Sequence, residues 1–212
     1  MGKGQSMVAA IVHGFLLALG LILPLGVQNV FVFQQGVVQP RMTKALPVVL
    51  TASICDTALI VLAVTGVSVI VLSSVWVKTF LLCAGTLFLL YMGWSTWRSK
   101  PAANRDAAVS FPPRKQIAFA ASVSLLNPHA VLDTVGVIGT SSLQYAGSEK
   151  MAFTAACVVV SWLWFAGLAA AGRWTGRLDA SGAALTLLNK VSAVVMWGTA
   201  LYLGVSVIAD FQ

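Results

Sequence analysis

Charge is what this chain has least of. Only 9% of its 212 residues are charged, 58% are hydrophobic, and the mean hydropathy is +0.90. A soluble domain carries about 25% charged residues, so a water-soluble enzyme is excluded. A disordered chain is excluded as well, because disorder goes with few apolar residues and high charge. Histidine is scarce, with only His13 and His129. Cys55, Cys83 and Cys157 lie inside apolar runs and never at C-x-x-C spacing. Neither a zinc site nor a dithiol redox motif is indicated, and these thiols read as small packing residues. There is no H-E-x-x-H, no Cys/His cluster and no G-x-S-x-G, the patterns hydrolytic chemistry uses. His129 and Asp133 stand at i, i+4, but no nucleophile or metal set accompanies them. No cofactor and no metal are expected, and a membrane-embedded enzyme is kept only as a remote alternative.

What the chain does have is apolar length. A membrane-spanning helix needs about 20 apolar residues. Six runs qualify: Met7–Phe33, Leu46–Leu72, Thr79–Trp97, Ile117–Gly139, Met151–Gly172 and Val191–Ala209. Lys3 followed by the first run imitates a secretory leader, but the run far exceeds the roughly 7–15 apolar residues of one. It reads as a retained first span. The net charge of +7 does not point to nucleic acid, since the basic residues lie between apolar runs. Ten of the 13 basic residues fall in the first, third and fifth connections, among them Arg41, Lys44, Arg98, Lys100, Arg105, Arg114, Lys115, Arg173, Arg177 and Lys190. Lys3, Lys78 and Lys150 lie on the other side. Positive loops stay in the cytoplasm, so both termini are expected outside. Residues 98–116 read as a cytoplasmic linker, with contact to anionic lipid as a weaker alternative.

Three spans (residues 1–97) precede that linker and three (residues 117–212) follow it. Three is odd, so the halves enter the membrane from opposite sides, the arithmetic of an inverted repeat. The fold expected is therefore an all-α integral membrane protein of six transmembrane helices, as two inverted three-helix repeats. Leu90-Tyr91-Met92-Gly93 recurs as Leu201-Tyr202-Leu203-Gly204, and Pro24 with Asn29 matches Pro128 with Asp133 at the same spacing.

The uncharged stretch from Gly4 to Pro40 would reach about 55 Å as one helix, against a hydrocarbon core of about 30 Å. A break is expected near Pro24–Gln28, where Pro24 removes a backbone donor and Gly26 adds freedom. Gln28 and Asn29 then place amides in an apolar setting. The fourth span repeats the idea at Leu126-Asn127-Pro128-His129. Paired interruptions in two halves point to a transporter's binding site; simple proline kinks are the plainer alternative. Asp56 in the second run and Asp133 in the fourth each cost on the order of 2.5–3.5 kcal/mol near a helix centre. No Lys or Arg lies deep in any run. Unless these acids snorkel or cap a helix, they imply a bound cation or a carried proton.

Gly14-Phe15-Leu16-Leu17-Ala18-Leu19-Gly20, then Leu23-Pro24-Leu25-Gly26-Val27-Gln28-Asn29-Val30-Phe31-Val32 with Gln35-Gly36, resemble the first span of the LysE/ArgO family. Leu126-Asn127-Pro128-His129 with Leu132-Asp133-Thr134 resembles its fourth-span motif, nearest the arginine-exporter branch. Asp56 falls where that family has an acid. The resemblance implies bacterial exporters of lysine and arginine. Val27 departs from the pattern, which commonly has Pro there, so the break is expected to be softer. Exporters of neutral amino acids in the wider superfamily resemble N-P-K and lack the following acid. His129 and Asp133 therefore favour a cationic substrate. The His-rich and paired-Cys signatures of metal and redox relatives are absent here.

The expected function is a secondary transporter that exports basic L-amino acids across the bacterial cytoplasmic membrane. The expected substrate site is Gly26, Gln28, Asn29, Asp56, Asn127, His129 and Asp133, with Pro24 and Pro128 as helix breaks. Its partners would be the amino acid, a coupling ion for which the proton is the candidate, and the lipid bilayer. A second copy of the chain is an open alternative. Export of neutral amino acids or another small metabolite is the second reading, and a non-transporting sensor a third. The topology is checked by labelling introduced cysteines from outside intact cells. A thiol near Gln144 should react and one near Arg105 should not; the reverse pattern would overturn the orientation.

Overall fold

The computed structural model describes residues 3–23, 26–66, 111–126, 130–131 and 134–178, with scattered helical residues between 83 and 98 and between 186 and 201. All regular structure among the described residues is helical. Helix α1 runs Lys3–Ile22, α2 Val27–Val38, α3 Met42–Val64, α4 Pro113–Leu125 and α5 Gly147–Leu178. Between α4 and α5 a π-helical turn, Thr134–Gly139, leads into one short helical turn, Thr140–Ser142. Helix α3 and the Gly147–Arg177 part of α5 are each long and apolar enough to cross a membrane. Segments Ser6–Ile22 and Val27–Val38 meet at 80°, the geometry of a broken span or a re-entrant loop.

The first run therefore divides where expected, with one correction. The chain is already helical at Val27, so Gln28 sits in the first turn of α2 instead of within the break, with Asn29 beside it. Two other boundaries move. The second run reads as continuous to Leu72, but α3 stops at Val64, eight residues sooner. Gly66 adopts φ +80°, a left-handed conformation that glycine takes without strain, and its N–H donates to the Ala63 carbonyl at 3.2 Å. The fifth apolar run ends at Gly172, before Arg173. In the structure α5 continues to Leu178, because the Arg173 guanidinium donates to the carbonyls of Gln39 (3.0 Å) and Pro40 (2.9 Å).

Helix α5 is the central element. Its 32 residues extend about 48 Å at 1.5 Å per residue. Helix α1 lies along its first half and α2 along its second. Near one end Ser6 donates to Glu149 at 2.6 Å, and His13 Nδ1 and the Tyr145 hydroxyl are hydrogen-bonded at 2.8 Å. At the other end Gln39 donates to the Phe111 carbonyl, and Gln116 donates to the carbonyls of Lys44 and Phe111. With the Arg173 bonds, these gather the first connection, the start of α4 and the end of α5. Arg41, Lys44, Arg114, Lys115 and Arg173 thus share one end of the described bundle.

The contact between the broken span and α5 is backbone against backbone. A Cβ on Gly36 would run into the Ala169 backbone, and one on Gly172 into the Phe33 carbonyl. One on Gly14 would lie 2.6 Å from the Phe153 carbonyl oxygen. Small residues at helix contacts are how membrane helices gain close van der Waals packing, since lipid supplies no hydrophobic drive between them. Large side chains such as Leu16, Leu163 and Met151 face outward, as lipid permits.

Gly36→Ala and Gly172→Ala should each lower stability by about 1–3 kcal/mol through overpacking. Gly20→Ala meets nothing within 4 Å among the described residues and should be neutral or slightly stabilising. Thermal unfolding in detergent checks all three; equal midpoints would show that the close approach carries no weight.

Candidate functional site

Two apolar clusters bracket the middle of the bundle. One joins Ala10 and Ala18 of α1, Ile60 and Val64 of α3, Ile138 of the π-helical turn, and Phe153, Cys157 and Val160 of α5. The other joins Phe31 and Val32 of α2, Val48, Val49 and Ala52 of α3, Ala120 of α4, and Phe165 and Ala169 of α5. Ile22, the last residue of α1, packs against both. Between the two clusters along α3 lie residues 53–59, and along α5 residues 161–164. These short intervals carry the polar groups.

Ser161 of α5 donates to the Asp56 carboxylate of α3. One residue on, the Trp162 indole donates to the Thr57 hydroxyl at 3.0 Å. Thr57 in turn donates to the Ser53 carbonyl at 2.7 Å. Three residues past Ser161, the Trp164 indole donates to Asn29 Oδ1 at 3.3 Å. Three residues of helix rise about 4.5 Å, so Asp56 and Asn29 converge on a single turn of α5. Asn29 also donates to the Ile22 carbonyl at 2.7 Å. That carbonyl belongs to the last turn of α1, where no intrahelical donor is available. Asn29 therefore ties the end of α1 to the start of α2 across the break. Trp164 holds that amide in place, which is consistent with its site inside the bundle instead of at an interface.

Two buried polar atoms in this layer have no hydrogen-bond partner among the described residues: Gln28 Nε2 and Ser53 Oγ. Ser53 is fully buried. Asp56 pairs with no Lys or Arg among the described residues, and no group of three or more His, Cys, Asp or Glu could hold a metal there. Of the expected site residues, Gly26, Gln28, Asn29 and Asp56 are described. Gly26 is the N-cap of α2 and makes no side-chain cap. Pro24, Asn127, Pro128, His129 and Asp133 lie outside the described residues. Their neighbours show an irregular fourth span: α4 stops with Leu126 as its C-cap, and the π-helical turn begins at Thr134.

Ser53, Ser161 and the π-helical turn escaped the sequence reading. A lone serine in an apolar run carries no pattern of its own. The depth of Trp162 and Trp164, away from the span ends where tryptophan usually sits, was the one signal that α5 carries polar contacts there. The π-helical turn contains Gly136 and Gly139, and such turns concentrate at functional sites.

Apolar spanning helices, a first span broken at mid-length and a polar layer around the break make up an integral membrane protein. A family profile described as LysE type translocator matches residues 19–207. The chain belongs to the LysE type translocator family. It is 59% identical over 201 residues to the "Putative amino-acid transporter YisU" of Bacillus subtilis, covering 95% of this chain and 91% of that one. It is 32% identical to the arginine exporter protein ArgO of Salmonella paratyphi A over 195 residues, 90% of this chain and 91% of the relative. The ArgO of Salmonella choleraesuis gives the same identity over 97% and 98%. No solved structure matches the chain.

Asn29→Ala should leave the Ile22 carbonyl unpaired and cost about 1–3 kcal/mol. Trp164→Phe removes the donor that holds the amide. If the two act as one unit, the double variant loses less than the sum of the singles. Additive losses in thermal unfolding would separate Trp164 from the break.

Proposed function

We propose that this translocator exports basic amino acids from the bacterial cytoplasm across the cell membrane. Asp56 carries the reading that a cationic group is bound; the preference for a basic side chain rests on Asp133 as a second acid. Asp56 is a carboxylate inside a membrane helix, held by Ser161 and paired with no basic residue among the described ones. An intramembrane acid is costly and normally marks a substrate or ion path. A cationic group of the substrate would offset that cost. In this reading Asp133 supplies a second acid, and Gly26, Gln28, Asn29, Asn127 and His129 surround the substrate where the two half-helices begin. Half-helix N-termini favour an anionic group. The bundle is read as two inverted three-span halves joined by residues 98–116, with both termini outside and alternating access between the halves.

The relatives agree to different depths. The Salmonella proteins are named for arginine, whereas the Bacillus protein is named only for amino acids. Export of neutral amino acids with Asp56 as the proton carrier is therefore the second reading.

Purified protein in liposomes, supplied with labelled lysine, arginine and threonine across an imposed pH gradient, tests both. Efflux of lysine and arginine in preference to threonine is expected. Asp56→Asn and Asp133→Asn should each reduce that efflux at least about tenfold, the size of one lost charge-assisted hydrogen bond. If an acid serves only the proton, its Asn variant should still exchange substrate at equal concentrations while losing uphill export. Unchanged export in both variants would make the acids structural and sink the mechanism.

A further inference from the structure

We infer that Gln28 and Ser53 form the carboxylate half of a site for the α-amino-acid headgroup, with Asp56 receiving the α-ammonium. The inference rests on the transport reading above and specifies which end of the substrate this layer holds.

Register places the three groups together. Helices α2 and α3 are joined by the short connection at residues 39–41 and run back along one another. Phe31 and Val32 pack in one cluster with Val48, Val49 and Ala52. Moving one turn from that cluster toward the break reaches Gln28 on α2 and Ser53 to Asp56 on α3. Ser53 and Asp56 stand at i, i+3, on one face of α3.

Their chemistry is complementary to a zwitterion. Gln28 Nε2 and Ser53 Oγ are buried and without a partner, a condition native proteins largely avoid. Most neighbouring side chains already have one: Thr57 spends its hydroxyl on a carbonyl, Asn29 bridges the break, and Ser161 donates to Asp56. By this register, two unspent donors and one carboxylate fall within about one helical turn of each other. A lone cation would use the carboxylate and leave both donors idle. A carboxylate and an ammonium on one carbon atom use all three. The first turn of α2 adds N–H groups that have no intrahelical acceptor. A Cβ on Gly26 would meet nothing within 4 Å among the described residues, so there is room beside that helix start. Selectivity for the substrate's side chain then belongs to other residues.

The test compares an amino acid with the amine that lacks its carboxylate. Lysine and cadaverine are used as competitors of labelled lysine exchange in liposomes holding equal amounts of folded protein. Ser53→Ala and Gln28→Ala should each weaken lysine about tenfold while changing cadaverine by less than about twofold. Ser53→Thr retains the hydroxyl and should keep the preference. Gln28→Glu faces the substrate carboxylate with a like charge and should favour cadaverine. Equal weakening of both competitors, or of neither, overturns the headgroup site. If the wild-type liposomes carry leucine and not lysine, the basic-substrate reading fails by itself. The same comparison, made with leucine and isoamylamine, then decides the headgroup site.

Discussion

The close approach of the broken first span to α5 is the contact on which the rest of the structure depends. Gly14, Gly36 and Gly172 let backbones touch where any larger residue would hold the helices apart. Side chains then reach across a short gap. Trp164 can meet Asn29, and the Cys157 thiol can meet the Gly14 carbonyl at 3.4 Å. Wider spacing would leave Asn29 without the indole and the end of α1 without a stable cap. The two ends of the break are held by protein contacts: Ile22 packs against both apolar clusters, and its carbonyl accepts from Asn29.

The placement of polarity follows from the same constraint. The apolar clusters flank the middle layer, in which Asn29, Ser53 and Ser161 are buried while Trp162 stays exposed. In that setting an unpaired group is expensive, which accounts for how fully most of them are bonded. Ser161–Asp56, Trp162–Thr57 and Trp164–Asn29 are three separate hydrogen bonds that tie α5 to α3 and α2. The groups that fall outside these bonds are the informative ones.

The sequence revealed the break because proline and glycine act locally. Pro24 and Gly26 signal a lost donor and a free backbone wherever they occur. It carried the break on to Gln28, which lies in the first turn of α2, because a helix can restart on any residue once the break is passed. Asp56 stood out because a carboxylate inside a long apolar run is costly enough to be noticed before its neighbours are known. Ser161 and Ser53 did not, since a serine gains meaning only from what faces it across the bundle. Helix ends were misread at Val64 and Leu178 for related reasons: one depends on the conformation of Gly66, the other on carbonyls from a distant connection that accept from Arg173. The roles of Asn127, His129 and Asp133 remain expectations from motif and charge.

The two adjacent rungs between α3 and α5 carry a further consequence. Asp56 meets Ser161 and Thr57 meets Trp162, so the separation along the chain is 105 in both cases. Consecutive residues on a helix point about 100° apart. Two rungs from neighbouring residues therefore fix the rotation of each helix about its own axis as well as its distance from the other. A single contact would allow one helix to roll. Sequence change in this pair is thereby constrained in kind. Substitutions that keep a donor and an acceptor can be accommodated. A one-residue insertion or deletion within α3 between Ser53 and the Asp56–Thr57 pair, or within α5 between the Ser161–Trp162 pair and Trp164, turns one polar group away from its partner. In this layer evolution can exchange letters but cannot shift the reading frame of the helix face.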